Sequence, residues 1–252
     1  MNSGSRFSRR LLLGGGLVLA AWPLTACSGG GDPLPKECRT PEDLTQMATL
    51  AGAPLVYADN GREQSFDCDP KFVELLESWA GGWVAAAGFG PLVKVSTFGA
   101  YVDKCPSWHA AGRAFDIAEL VHENGQVSCR YDQWGDDPQR LRAYWKLAAS
   151  LSTRFTYTLG YPYNAAHHNH LHVDNGVNGH GATRFDQRSN AQTCVVQGAL
   201  LHVFGRDVEI TGDYDRRTRD AVSSVQEDLG LREKLTSEEG WRAFLDAAVA
   251  EG

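Results

Sequence analysis

Ser107-Trp108-His109-Ala110-Ala111-Gly112-Arg113-Ala114-Phe115-Asp116 and His167-His168-Asn169-His170-Leu171-His172-Val173-Asp174 are the stretches on which the fold turns. Five of the eight histidines lie in them, four within six residues. Alternate residues of a strand share a face. In the first stretch Ala114 and Asp116 therefore point one way, while Phe115 and Ile117 fill a core. In the second, His170 and His172 share a face, and Leu171 and Val173 take the other. With the two strands side by side, Asp116 meets the histidines. Gly112 permits a sharp turn that returns His109 to the same side. Imidazole and carboxylate are zinc ligands, and three protein ligands leave an open position, the arrangement of catalytic zinc. The expected ligands are His109, Asp116 and His172. His170, on the same face, is the expected general base, with His167 orienting the site or stabilising an oxyanion. Asp174 is placed to hold a ligand histidine through its second nitrogen.

Outward from these strands the chain alternates helix and strand signals. Thr40-Pro41-Glu42-Asp43 predicts a helix running to near Gly52, since Thr caps, Pro suits the first turn and acids face the positive end of the dipole. Leu55–Tyr57 predicts a short strand, with a turn at Asp59-Asn60-Gly61. Asp69-Pro70 opens a second helix, with Phe72, Val73, Leu76, Trp79, Ala80 and Trp83 at helical spacing. Strands are predicted from Leu92 to Phe98 and from Arg113 to Leu120, with a hairpin at Asn124-Gly125. A helix opens at Asp137-Pro138 and runs to about Ser150. Further strands are predicted at Arg154–Leu159 and His170–Asp174. This order points to an α+β domain with a small antiparallel sheet and flanking helices. Residues 176–192, rich in Gly, Asn and Arg, read as a linker, and the remainder as helices.

The N-terminus reads as an address. Arg9-Arg10 precede an apolar run to Ala21, too short to cross a bilayer comfortably, so residues 1–26 are expected to be an export signal of twin-arginine type. Leu24-Thr25-Ala26-Cys27 resembles a bacterial lipoprotein box, which implies lipid on Cys27 and a tether over 27–35. The expected location is the cell envelope, lipid-anchored. The chain of 252 residues carries a net charge of −7, and the signal's arginines make the remainder more acidic still. Such a charge argues against nucleic acid as a partner. Nothing in the pattern signals self-association, so a monomer is expected. Outside the cytoplasm the later cysteines should be disulfides rather than metal ligands. Cys38, Cys68, Cys105 and Cys129 can pair in three ways. Cys38–Cys68 and Cys105–Cys129 are favoured, with Cys194 unpaired.

Ser107-x-His109-x-x-Gly112-x-Ala114-x-Asp116 followed by His167-x-x-His170-x-His172-x-Asp174 resembles the extensin-like C-terminal family of bacterial proteins. More broadly, it resembles the superfamily joining lysostaphin-type peptidases, D-Ala-D-Ala carboxypeptidases and hedgehog domains. The resemblance covers residues 36–175. It implies a hedgehog/D-Ala-D-Ala peptidase-like fold and a zinc peptidase acting on peptidoglycan. Carboxypeptidases of the superfamily often carry a substrate-gripping arginine on the strand before the first motif. Thr97-Phe98-Gly99-Ala100-Tyr101 has none, with Arg113 and Arg130 as the substitutes within reach. Many also use a Glu where this chain offers His170. Endopeptidase is therefore favoured over D,D-carboxypeptidase. The alternative, from another class, is a zinc-containing but non-hydrolytic wall-binding lipoprotein. Gln197-Gly198-Ala199-Leu200 with Gly212-Asp213-Tyr214-Asp215-x-x-Thr218-x-x-Ala221-Val222-x-x-Val225-Gln226-x-x-Leu229-Gly230 resembles the three-helix peptidoglycan-binding domain. This implies a wall-binding unit over residues 193–252.

Overall fold

The computed structural model describes Leu34, Pro35 and residues 37–252. The export signal, Cys27 and nearly all of the tether lie outside the described residues. No helix among the described residues is long and apolar enough to cross a membrane.

The chain is mixed α+β. A short ribbon pairs β1 (Thr45–Met47) with β5 (Phe66–Cys68). The main sheet runs β2 (Thr49–Leu50), β3 (Ala53–Tyr57), β6 (Leu92–Gly99), β7 (Ala114–His122), β10 (Leu171–Asp174), β9 (Tyr157–Leu159). β4 (Arg62–Glu63) adds to β3, and β8 (Gly125–Ser128) to the far end of β7. The sheet therefore has eight strands, and it is not purely antiparallel: β3 and β6 run parallel. The chain between them contains helix α1 (Pro70–Ala87), the kind of crossover that parallel neighbours need.

The two longest helices start where the sequence says, whereas a later helix begins at Asn190, inside the segment read as a linker. Asp69 caps α1 by accepting from the Phe72 amide at 3.0 Å, and Asp137 caps α3 (Pro138–Ser152) through the Arg140 amide at 2.9 Å. Pro follows both caps, where its missing N–H costs nothing. Gly81-Gly82 does not break α1, because Phe72, Leu76, Trp79, Ala80 and Trp83 all bury on one face. Phe115, Ile117, Leu171 and Val173 meet that face in the core. A one-turn helix, α2 (Tyr131–Trp134), precedes α3.

The predicted helix from Pro41 to Gly52 is not formed. Thr40 and Asp43 make their capping contacts, yet only one 3₁₀ turn follows, over Pro41–Asp43. β1 and β2 take the rest, claimed by pairing with β5 and β3. The spacing of Met47, Leu50 and Ala53, all buried, imitates a helical stripe. The β2–β3 hairpin turns on Ala51 and Gly52, both at positive φ as a type I′ turn requires. Alanine there gives no turn signal.

The cysteine scheme is also corrected. Cys38 pairs with Cys105, while Cys68 and Cys129 are buried thiols. Cys68 closes β5 inside the core, and Cys129 sits beneath β10, so neither reaches the surface where Cys38 and Cys105 meet. Burial pushes the Cys68 thiol up to about 12. Cys194 is not unpaired but disulfide-bonded.

Between Asp174 and Asn190 no helix or strand forms. The segment is nevertheless packed: Thr183 donates to the Ser152 carbonyl at 2.8 Å, and Phe185 is buried. Three helices follow, α4 (Asn190–His202), α5 (Arg216–Asp228) and α6 (Glu238–Ala250). Asp215 caps α5 through the Thr218 amide at 2.8 Å. Trp241, Phe244 and Leu245 of α6 are fully buried. α4 and α6 both pack on α3, which contributes Ala149 to their core.

Candidate metal centre

β7 is the spine of the site. Asp116 lies directly opposite His172 of β10 on one side and Gly99 of β6 on the other. The Asp116 carbonyl accepts from the Thr97 hydroxyl at 2.7 Å, locking the strand where β6 is irregular. His109 comes from the loop between β6 and β7. That loop closes through Gly112 N–H to the His109 carbonyl, 2.9 Å, and Arg113 N–H to the Trp108 carbonyl, 2.9 Å. Gly112 sits at φ +67°, where a Cβ would also stand 2.6 Å from a Leu44 methyl. Only glycine fits both constraints.

Three ligand-type atoms converge. Asp116 Oδ1 is 2.9 Å from His172 Nδ1 and 3.3 Å from His109 Nε2, and the two ring nitrogens are 3.1 Å apart. The outer nitrogens are already engaged: His109 Nδ1 with the Ala100 carbonyl, and His172 Nε2 with Asp174 Oδ2 at 3.3 Å. If those outer nitrogens carry the protons, the inner pair and the carboxylate present lone pairs to one another with nothing between them. Such a cluster needs a cation or a proton at its centre. Ligand atoms of a tetrahedral zinc stand about 3.3 Å apart, given bonds of about 2.0 Å. The donor set and its spacing therefore fit the metal, and Asp174 and Ala100 are the orienting partners such ligands require.

The electrostatics follow from that crowding. Burial alone would raise the Asp116 carboxyl, but hydrogen bonds with His109 and His172 hold it well below the usual range. Burial disfavours charge on His172, yet Asp116 and Asp174 override it and push the imidazolium up to about 10.

The two further histidines stand beside the cluster. His170 Nε2 is 3.5 Å from Asp116 Oδ1, and its Nδ1–H donates to Asn169 Oδ1 at 2.7 Å. His167 donates from Nδ1 to Asn164 Oδ1 at 2.8 Å, and its ring lies 5.1 Å from that of His170 and 5.7 Å from that of His172. Burial, then repulsion from His172 and His170, pushes His167 down to about 3. Burial lowers His170 too, against the pull of Asp116. His168 is not in the cluster: its ring turns to Tyr131, and its carbonyl accepts from the Asp132 amide. The amide oxygens of Asn164 and Asn169 and the Ala100 carbonyl were not foreseen. The two asparagines had a legible signal in their closeness to histidines, whereas a backbone carbonyl has none.

Of the two arginines in reach, Arg113 is occupied. It donates to Asn175 Oδ1 and to the Asn175 carbonyl, with its guanidinium 5.0 Å from the Trp108 ring centre. Arg130 is held by both oxygens of Asp132 and lies 5.8 Å over Phe98, whose ring is 5.7 Å from that of His170.

Residues 91–185 match the family model described as extensin-like protein C-terminus. The matched segment begins just before β6, ends at Phe185, and contains all three ligand-type residues with His167, His170 and Asp174. No curated protein and no solved structure matches the chain.

Proposed function

We propose that the domain over residues 36–175 is a zinc-dependent peptidase that hydrolyses peptide bonds of bacterial peptidoglycan, as an endopeptidase rather than a D,D-carboxypeptidase. The observation that carries it is the convergence of His109 Nε2, His172 Nδ1 and Asp116 Oδ1 within hydrogen-bonding distance, each imidazole anchored from behind. These three residues would hold the metal. Bound there, zinc supplies Lewis-acid chemistry, polarising a carbonyl and acidifying water. The chain's own side chains do the proton work. His170, kept neutral by burial and tied at Nδ1 to Asn169, presents Nε2 to accept a proton from water and return it to the leaving amine. His167, tied likewise to Asn164, orients the substrate at its own Nε2. Asp174 keeps His172 in register, and Phe98 walls the site beside His170.

The chain's proposed setting is the cell envelope, with peptidoglycan as the partner. The helices over residues 193–252 are proposed to bind the wall, in keeping with the cap at Asp215 and the buried Thr218, Val222 and Val225. The deciding experiment digests purified peptidoglycan and reads new amines by mass spectrometry. Wild-type protein should release muropeptides with a cleaved cross-link, and His170→Ala should not. No product from zinc-loaded wild type rejects hydrolysis and leaves a wall-binding zinc protein. Zinc in Asp116→Asn equal to wild type rejects the ligand set.

A further inference from the structure

His109 is the one ligand-type residue of the cluster outside a strand, so something else must hold its loop. The segment from Cys38 to Leu44 does so. Arg39 N–H donates to the Ala110 carbonyl at 2.8 Å, next to His109. The Tyr101 hydroxyl, at the other end of the loop, donates to the Arg39 carbonyl at 3.0 Å. The Arg39 guanidinium pairs with Asp69 at 2.8 Å, and the Asp69 amide donates to the Gly112 carbonyl at 2.8 Å. A Leu44 methyl closes on Gly112. The whole arrangement is tied covalently by Cys38–Cys105, four residues ahead of His109. Cys105 is exposed and Cys38 half-buried, within reach of a thiol, whereas Cys68 and Cys129 are buried.

We propose that the Cys38–Cys105 disulfide is a redox-sensitive clasp that positions His109 for metal binding. Opened by a dithiol, it exchanges in two steps. A thiolate attacks one sulfur and expels the other as a thiolate that takes up a proton. The second thiol then displaces the remaining cysteine, which is likewise protonated. The reductant leaves as a disulfide, and the protein gains two electrons and two protons. The segment 38–44 is then tied only by the hydrogen bonds, ion pair and packing named above, and the loop regains conformational freedom that zinc must remove on binding.

The inference rests on the metal reading, and the test separates the two. The full chain carrying Cys38→Ser with Cys105→Ser is compared with wild type by zinc titration against a competing chelator and by amide hydrogen exchange. The expected result is one zinc per chain in both, at least ten-fold weaker affinity in the variant, and faster exchange confined to residues 38–44 and 105–113. A variant that binds zinc as tightly as wild type, with the loop equally protected, overturns the clasp. Should wild type bind no zinc, the metal reading fails, and the exchange arm still decides whether the disulfide orders the loop. If the variant does not fold, wild type is opened with a dithiol and capped with iodoacetamide. Preparations alkylated only at Cys38 and Cys105 by peptide mapping are then titrated in its place, with the same outcomes.

Discussion

At the scale of single residues, the chemistry turns on what occupies the space between His109, Asp116 and His172. In the metal-free protein the candidate is a proton, because His172 is pushed up to about 10 by its two carboxylate neighbours despite its burial. A metal entering that space must expel the proton, since its ligand nitrogen must be neutral. Apparent zinc affinity should therefore rise with pH, by about ten-fold per unit between about pH 6 and 8 for one released proton. Calorimetry in two buffers of different ionisation enthalpy measures the protons directly. An affinity flat with pH would show that His172 is already neutral and that the carboxylates do not act as described. Asp174→Asn removes one of those carboxylates while keeping the shape, and should shift less proton onto the buffer.

At the scale of elements, the site was legible wherever a local rule coincided with the tertiary arrangement. Period-two alternation in Ala114–Asp116 and His170–Asp174 was enough to place Asp116 across from His172, because one face of each strand is wholly apolar and fixes the register. Asp-Pro at 69 and 137 marked two helix starts, since cap and fixed φ act within one turn. The same kind of signal at Thr40-Pro41 misled, because a cap specifies a beginning and nothing sustains the helix against pairing with β5. The parallel β3–β6 contact and the Cys38–Cys105 bridge were illegible for a different reason. Both join segments far apart in the chain through surfaces that no local pattern describes. Gly112 belongs with the legible features, and it permits a direct test. Gly112→Ala should cost about 1–2 kcal/mol for the left-handed backbone alone, before the contact with Leu44. Urea unfolding in chelator should record that loss, and zinc affinity should fall with it. Adding Leu44→Ala should restore part of the loss by vacating the space. A Gly112→Ala protein of unchanged stability would refute the account of the turn.

At the scale of the molecule, helix α3 joins what the sequence divides. Its Tyr144, Trp145, Leu147, Ala148 and Leu151 pack with the sheet and α1, while Ala149 lies in the core of α4, α5 and α6. Helices α3 and α4 meet closely at Gly198 of α4, where a Cβ would stand 2.2 Å from the Trp145 ring. Gly198→Ala should accordingly destabilise by about 1–3 kcal/mol through overpacking, read as a lowered urea midpoint. The same seam carries an acid-sensitive group. His202, at the end of α4, lies parallel to the Trp145 ring, and burial pushes it down to about 4 against the weaker pull of Asp136. An unfolded histidine titrates near about 6.5. Between these values the unfolded chain binds the extra proton, so the contribution of His202 is complete above about pH 6.5 and is lost as pH falls toward 4. Wild type should unfold at lower urea at pH 5 than at pH 7, and His202→Gln, with no proton to accept, should show a smaller difference. Equal pH dependence in the two proteins would place the acid sensitivity elsewhere. Because α3 lies in both cores, the loss at pH 5 should appear at one midpoint whether unfolding is followed through the sheet or through α6.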